Sequence, residues 1–158
     1  MNIKEEFKYF LKTGSLKHFP YGMEEEKIIY LLGEPDEQVE NEETSMIKYD
    51  RIEFYFYKGD KESKRLFGIL IMPVSVSNNR SNLSMEYSWL DKELNDKQVR
   101  KHLIREGIAF DDSVSDYNKM DMVLKTEGEV VFFFSKQNHK INKVGRFLPM
   151  QEFEKIDI

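Results

Sequence analysis

With 158 residues, 40% of them hydrophobic and 13% aromatic, the chain holds enough apolar material for one globular unit or for two small halves sharing a core. A formal charge of −5, spread over both halves, offers no basic face to a phosphate backbone and argues against a nucleic-acid partner. The absence of cysteine excludes disulfides, a thiolate nucleophile and thiolate zinc sites.

The N-terminus, MNIKEEFKYFLKTGS, mixes charge with apolar residues and has no signal-peptide core. No later segment approaches a membrane-spanning length, so a cytoplasmic location without membrane contact is expected. Ile3, Phe7, Phe10 and Leu11 recur at helical spacing, which predicts a first helix ended by a left-handed Gly14. A second helix is predicted from Met23, where Glu24, Glu25 and Glu26 complement the positive end of its dipole. Its stripe is Ile28, Leu31 and Leu32, and Gly33 with Pro35 stops it.

From Ser45 the period changes to two. Ile52, Phe54 and Phe56 alternate with Glu53, Tyr55 and Tyr57, so the two sets face opposite sides of a strand, preceded by a tight connection at 49–51. Gly59, Asp60 and Lys61 form a turn before a strand over 66–76, in which Pro73 marks an edge or an end. The polar run SVSNNRSN then divides the chain near 79–83, giving a first unit of 1–80 and a second of 81–158.

In the second unit, Asn95 and Gln98 have the spacing of a capping box, and Val99 and Leu103 continue the apolar face of the helix. Strands follow over 120–126, 129–135 and 143–148, with turns at 127–128 and 137–142. Met23, Ile28 and Leu32 match Leu94, Val99 and Leu103 at one constant offset; Ile52, Phe54 and Phe56 match Val130, Phe132 and Phe134 at a longer one. The expected fold is α+β: two related halves, each with a helix pair packed on one face of an antiparallel sheet.

The phrase YGMEEEKIIYLLGEPDE, the strand YDRIEFYF and the run LFGILI together resemble the repeat of the beta-lactamase inhibitory protein and of the small outer-membrane assembly lipoproteins. They are also similar to uncharacterised cytoplasmic proteins of the bacterial immunity type. The resemblance covers 21–71 and extends more loosely to WLDKELNDKQVRKHL and EVVFFF. It implies helix pairs on one face of a curved sheet and an opposite face open to a protein partner. Lacking the signal peptide and cysteines of the secreted inhibitor, this chain points to an intracellular target.

Two sets of residues are candidates for such a contact. Glu34, Asp36, Glu37, Glu40, Glu42 and Glu43 form an acidic run without a basic residue, which either steers a basic toxin domain or is a solvated loop. Tyr55 and Tyr57, with Val131 and Phe133 as their second-half counterparts, would form an aromatic contact surface if the helices cover the other face. Trp89 reads as core. His18, His102 and His139 are too scattered for a metal set or a nucleophile motif, and no glycine-rich phosphate loop is present. No catalytic residue, metal or cofactor is therefore expected. The function expected is a non-catalytic protein-binding module, a cytoplasmic immunity protein or inhibitor of a bacterial toxin, acting as a monomer or weak homodimer. The alternative is a structural module that self-associates through the same sheet face.

Overall fold

A computed structural model describes residues 2–75, 81–111 and 121–156. The predicted sequence boundary at 79–83 and the outermost residues of the strands expected over 66–76 and 120–126 fall partly outside these segments.

The first element corrects the sequence reading. Residues Ile3–Glu6 form a strand, β1, rather than the first turn of a helix, with Ile3 and Glu5 buried and their neighbours exposed. β1 pairs in parallel with β6, Leu83–Glu86, so that Ile3 stands against Leu83 and Glu6 against Glu86. An alternation of only four residues is a weak signal, and the partner that selects it comes from far along the chain. Helix α1 therefore spans only Phe7–Thr13 and ends at Gly14, whose φ of 78° is left-handed as predicted. The backbone there also passes so close to Gly128 that a Cβ on Gly14 would overlap the Gly128 carbonyl oxygen.

Helix α2, Glu25–Leu32, buries Ile28 and Leu32 and stops at Gly33. Helix α3, Asp96–Arg105, begins in the predicted capping box: the Asn95 side chain accepts from the Gln98 amide at 2.9 Å, and the Gln98 side chain accepts from the Asn95 amide at 2.9 Å. A short helix α4, Met150–Glu154, closes the described chain.

The remaining strands are β2 (Glu37–Glu40), β3 (Thr44–Tyr49), β4 (Ile52–Tyr57), β5 (Arg65–Ile71), β7 (Phe110–Asp111), β8 (Asp121–Thr126), β9 (Val131–Ser135) and β10 (Ile141–Phe147). They form one eight-stranded antiparallel sheet in the order β2-β3-β4-β5-β10-β9-β8-β7. The two four-strand runs meet where β5 pairs with β10, from Val144 against Ile71 to Phe147 against Gly68. β5 ends before Pro73, as a residue without a backbone donor requires.

Alternation sends Ile47, Ile52, Phe54, Ile69, Phe132, Phe134 and Val144 to one face, where they form a single core with Phe7, Phe10, Leu11, Ile28, Leu32, Val99 and Leu103. Burying each of these side chains contributes about 1.5–3 kcal/mol before chain entropy is subtracted. The core does not divide at the sequence boundary. Phe7 of α1 packs edge-on against Phe132 at 6.3 Å and Trp89 at 5.5 Å, and the Thr126 hydroxyl donates to the Leu11 carbonyl at 2.7 Å. Trp89 is half-buried and packs against this core. Among the described residues the second half places α3 on the inner face and α4 on the outer one, which differs from the expected helix pair on a single face.

Candidate functional site on the outer sheet face

The register of the sheet assembles one row on the face away from α1, α2 and α3. Val39 stands against Met46, Met46 against Tyr55, Tyr55 against Gly68, and Gly68 against Phe147. Because Gly68 has no side chain, the Phe147 ring lies across it, and a Cβ there would overlap that ring. Phe147 thereby reaches Tyr55, with ring centroids 5.2 Å apart at an interplanar angle of 61°. The Tyr55 hydroxyl donates to Glu53 at 2.6 Å, and Lys48 approaches the same carboxylate at 3.8 Å. Burial raises the Tyr55 hydroxyl well above the ordinary phenol range, with Glu53 adding to the effect. The phenol therefore stays a neutral donor.

The pairing of Tyr55 with Gly68 and of Phe56 with Leu66 leaves Phe67 as an extra residue in β5. That bulge brings Phe67 against Phe147 at 5.5 Å and Tyr57 at 6.1 Å. Here the expectation of a helix-free face is corrected. After Phe147 the chain turns at Leu148 and Pro149, and α4 lies over this end of the sheet. Its Phe153 is 1% exposed and packs on Tyr57 at 5.7 Å and Phe67 at 6.2 Å. Both tyrosines are half-buried, Tyr57 beneath a helix and Tyr55 within the row itself.

Phe133 lies on the same face in the second half, against Lys143 on one side and Val123 on the other. The Lys143 ammonium sits 5.0 Å from the centre of its ring. Val131, Phe133, Gly145, Phe147 and Pro149 line a groove of about 350 Å³ with Lys125, Glu129 and Arg146 at its rim. Phe147 and Met150, 45% and 41% exposed, extend the apolar surface beyond it. Phe147, not in the sequence-derived set, links Tyr55 to the Phe133 groove. Its signal was present in the alternation of Lys143, Gly145 and Phe147.

Glu34, Asp36, Glu37, Glu40, Glu42 and Glu43 are all exposed, but they do not form one loop. Glu37 and Glu40 belong to β2, an edge strand with β3 on one side and no strand on the other among the described residues. Asp36 accepts the Asp50 amide at 2.7 Å, while Glu42 and Glu43 sit at the β2–β3 turn. Glu37 shares the outer face with Lys48 and Glu53, and Glu40, three residues further along the strand, faces the helix side with Ser45. Only part of the acidic run therefore adjoins the aromatic row. Sequence reading missed this strand because Val39 is the sole apolar residue in it.

Sequence reading placed Glu25 at the start of a helix but did not anticipate its burial. Glu25, 8% exposed in the first turn of α2, accepts the Ser45 hydroxyl at Oε2. Burial raises its pKa, opposed by the Ser45 hydrogen bond and reinforced by Glu40.

His18 and His102 take structural places, and His139 is exposed. His18 Nδ1 lies 2.8 Å from Glu5, whose carboxylate also accepts the amides of Lys17 and His18. His102 stacks on Trp89 at 4.6 Å, and burial followed by the charge of Arg105 lowers its pKa. Among the described residues no group of three or more His, Asp or Glu could hold a metal ion, and no helix is long and apolar enough to cross a membrane. No family model, curated protein or solved structure matches this chain.

Proposed function

We propose that the chain is a non-catalytic, cytoplasmic protein-binding module of the immunity or inhibitor kind, which covers a basic bacterial toxin domain with the outer face of its sheet. The observation that carries this reading is the row Val39, Met46, Tyr55 and Phe147, which runs from the acidic β2 edge to the Phe133 groove. Rings with few rotamers on a rigid sheet bury area at small entropic loss, and flanking carboxylates select a basic partner. The likeness of 21–71 to the inhibitory-protein repeat supports the same reading. So does the order of elements: α2 precedes the four strands β2 to β5 and α3 precedes the four strands β7 to β10, which supports two related halves.

The test is co-expression with a growth-arresting toxin domain encoded beside this chain. Protection from arrest and a stable complex, both lost in Tyr55→Ala/Phe147→Ala protein that remains folded, are the expected results. A toxin that arrests growth equally with and without the chain would sink the reading. The second reading, self-association through the same face, draws on the exposure of Phe147 and Met150 beside the groove. Light scattering separates the two, since self-association gives a mass that rises with concentration and partner binding leaves the free chain a monomer.

A further inference from the structure

Charge is not evenly spread over the outer face of the sheet. One cross-strand row runs from Glu37 and Glu53 through Leu70 and Gly145 to Val131 and Lys125, with carboxylates toward its β2 end and an ammonium at its β8 end. The groove of about 350 Å³ lies at the latter end. Val131 and Gly145 stand opposite each other there and separate the ring of Phe133 on β9 from that of Phe147 on β10. Gly145 brings no side chain of its own, and a Leu70 methyl lies where its Cβ would project, so the space between the two rings keeps an apolar floor.

The lysines around this floor lack ion-pair partners. The Lys125 ammonium, on the groove wall, forms no hydrogen bond or ion pair among the described residues. Asp111 stands opposite it across β7 and β8 without pairing with it, and Glu127 accepts the Ala109 amide at 2.8 Å instead. Lys143 holds its ammonium 5.0 Å from the centre of the Phe133 ring and has no carboxylate partner among the described residues. Arg146 is already matched, by Glu129 at 3.4 Å and Glu152 at 3.7 Å. Two half-buried lysines are thus left beside a floor of rings and methyl groups. A carboxylate is attracted to an ammonium more strongly beside an apolar wall than in open water, and a ring seated there buries area while few rotamers are lost.

We propose that this groove receives an acidic aromatic element of the protein partner: a ring seated between Phe133 and Phe147, with a flanking carboxylate against Lys125 and Lys143. The apolar floor by itself accepts any ring. The lysines make a carboxylate beside that ring favourable and a cation unfavourable, which is where the selectivity comes from. Together with the carboxylates of β2 they fix the direction of docking, so that the partner's basic surface faces β2 and its acidic aromatic element faces β8 to β10. For its biological occupant the groove depends on the outer face being a protein contact, the reading proposed above, but its chemistry is testable without that partner.

The experiment titrates the full chain with three end-blocked tripeptides, Asp-Trp-Glu, Asn-Trp-Gln and Lys-Trp-Lys, and follows backbone and methyl resonances by NMR at low salt. Saturable shifts confined to 123–125, 131–133 and 143–149 are expected with the acidic peptide. Binding should be at least tenfold weaker with either of the other two, and equally weakened for the acidic peptide in Lys125→Gln/Lys143→Gln protein. Phe133→Ala should abolish the response; if that variant fails to fold, the lysine variant, whose two ammonium groups form no ion pair, decides the matter. A neutral or basic peptide that binds as tightly as the acidic one, shifts that never saturate, or a response unchanged in the folded lysine variant would overturn the assignment. Association with phosphatidylglycerol vesicles in place of the acidic peptide would overturn it as well. Toxin protection without peptide binding would refute the groove and leave the outer-face reading standing, and peptide binding without toxin protection would do the reverse.

Discussion

Phe147 lies over Gly68, in the one cross-strand position where its neighbour on β5 has no side chain. That vacancy allows the ring to meet Tyr55 and joins the two halves of the outer face. Gly68→Ala is expected to push Phe147 off its rotamer and destabilise the fold by about 1–3 kcal/mol. In Gly68→Ala/Phe147→Ala protein the clash has no ring to strike, so the two losses should not add. Urea unfolding of the four species measures the coupling, and simple additivity would refute the contact.

Phe153 of α4 covers Tyr57 and Phe67. Phe153→Ala is expected to lower stability by about 3 kcal/mol, the usual loss for a buried phenylalanine, and to expose both rings. Binding of an apolar fluorescent dye to the folded variant reports the uncovered surface; no increase in dye signal would mean that α4 does not shield this end of the sheet.

Glu25 makes stability depend on pH in a direction fixed by its raised pKa. A carboxyl that holds its proton more tightly when folded contributes stability below its unfolded pKa, near 4.5, and loses it as pH rises through the folded value. Glu25→Gln, which keeps an acceptor for Ser45 and carries no charge, should therefore gain stability relative to the native chain near neutrality and show little difference in acid. Thermal unfolding across that range checks the sign, and a variant equally destabilised at every pH would contradict it.

At the start of α3, Asn95→Ala removes the acceptor for the Gln98 amide and is expected to cost about 1 kcal/mol. Gln98→Ala breaks the reciprocal bond and should cost less, with the pair non-additive because the two bonds support each other. Chemical denaturation of the single and double variants provides the comparison.

Thr126 joins the halves through its hydroxyl, which donates to the Leu11 carbonyl and accepts the Val130 amide at 3.2 Å. Thr126→Val keeps the shape and removes both bonds in a buried place, with an expected loss of about 1–3 kcal/mol. Hydrogen exchange should quicken at Val130 before it does in β3 and β4; unchanged protection there would show that the link is dispensable.

Much of this architecture is local and so was legible. Gly14, the Asn95–Gln98 box and the alternation of Ile52, Phe54 and Phe56 each act through neighbours within a few residues; their periodicities predicted an α+β chain, and composition a substantial core. What the local signal could not supply was the identity of distant partners. Ile3–Glu6 became a strand because Leu83–Glu86 lies beside it, and Glu37–Glu40 became one because β3 had an edge to fill.

The candidate surface divides in the same way. Side-chain alternation assigned Tyr55 and Phe133 to one face from the sequence alone, since successive residues of a strand must point oppositely. Tertiary structure decided the rest: that α4 covers Tyr57, that a side-chain-free Gly68 seats Phe147 between the halves, and that Glu25 is buried against Ser45. Those outcomes depend on strand register and on which segment returns over which face, and contacts between residues far apart in the chain are fixed only when the whole sheet closes its core.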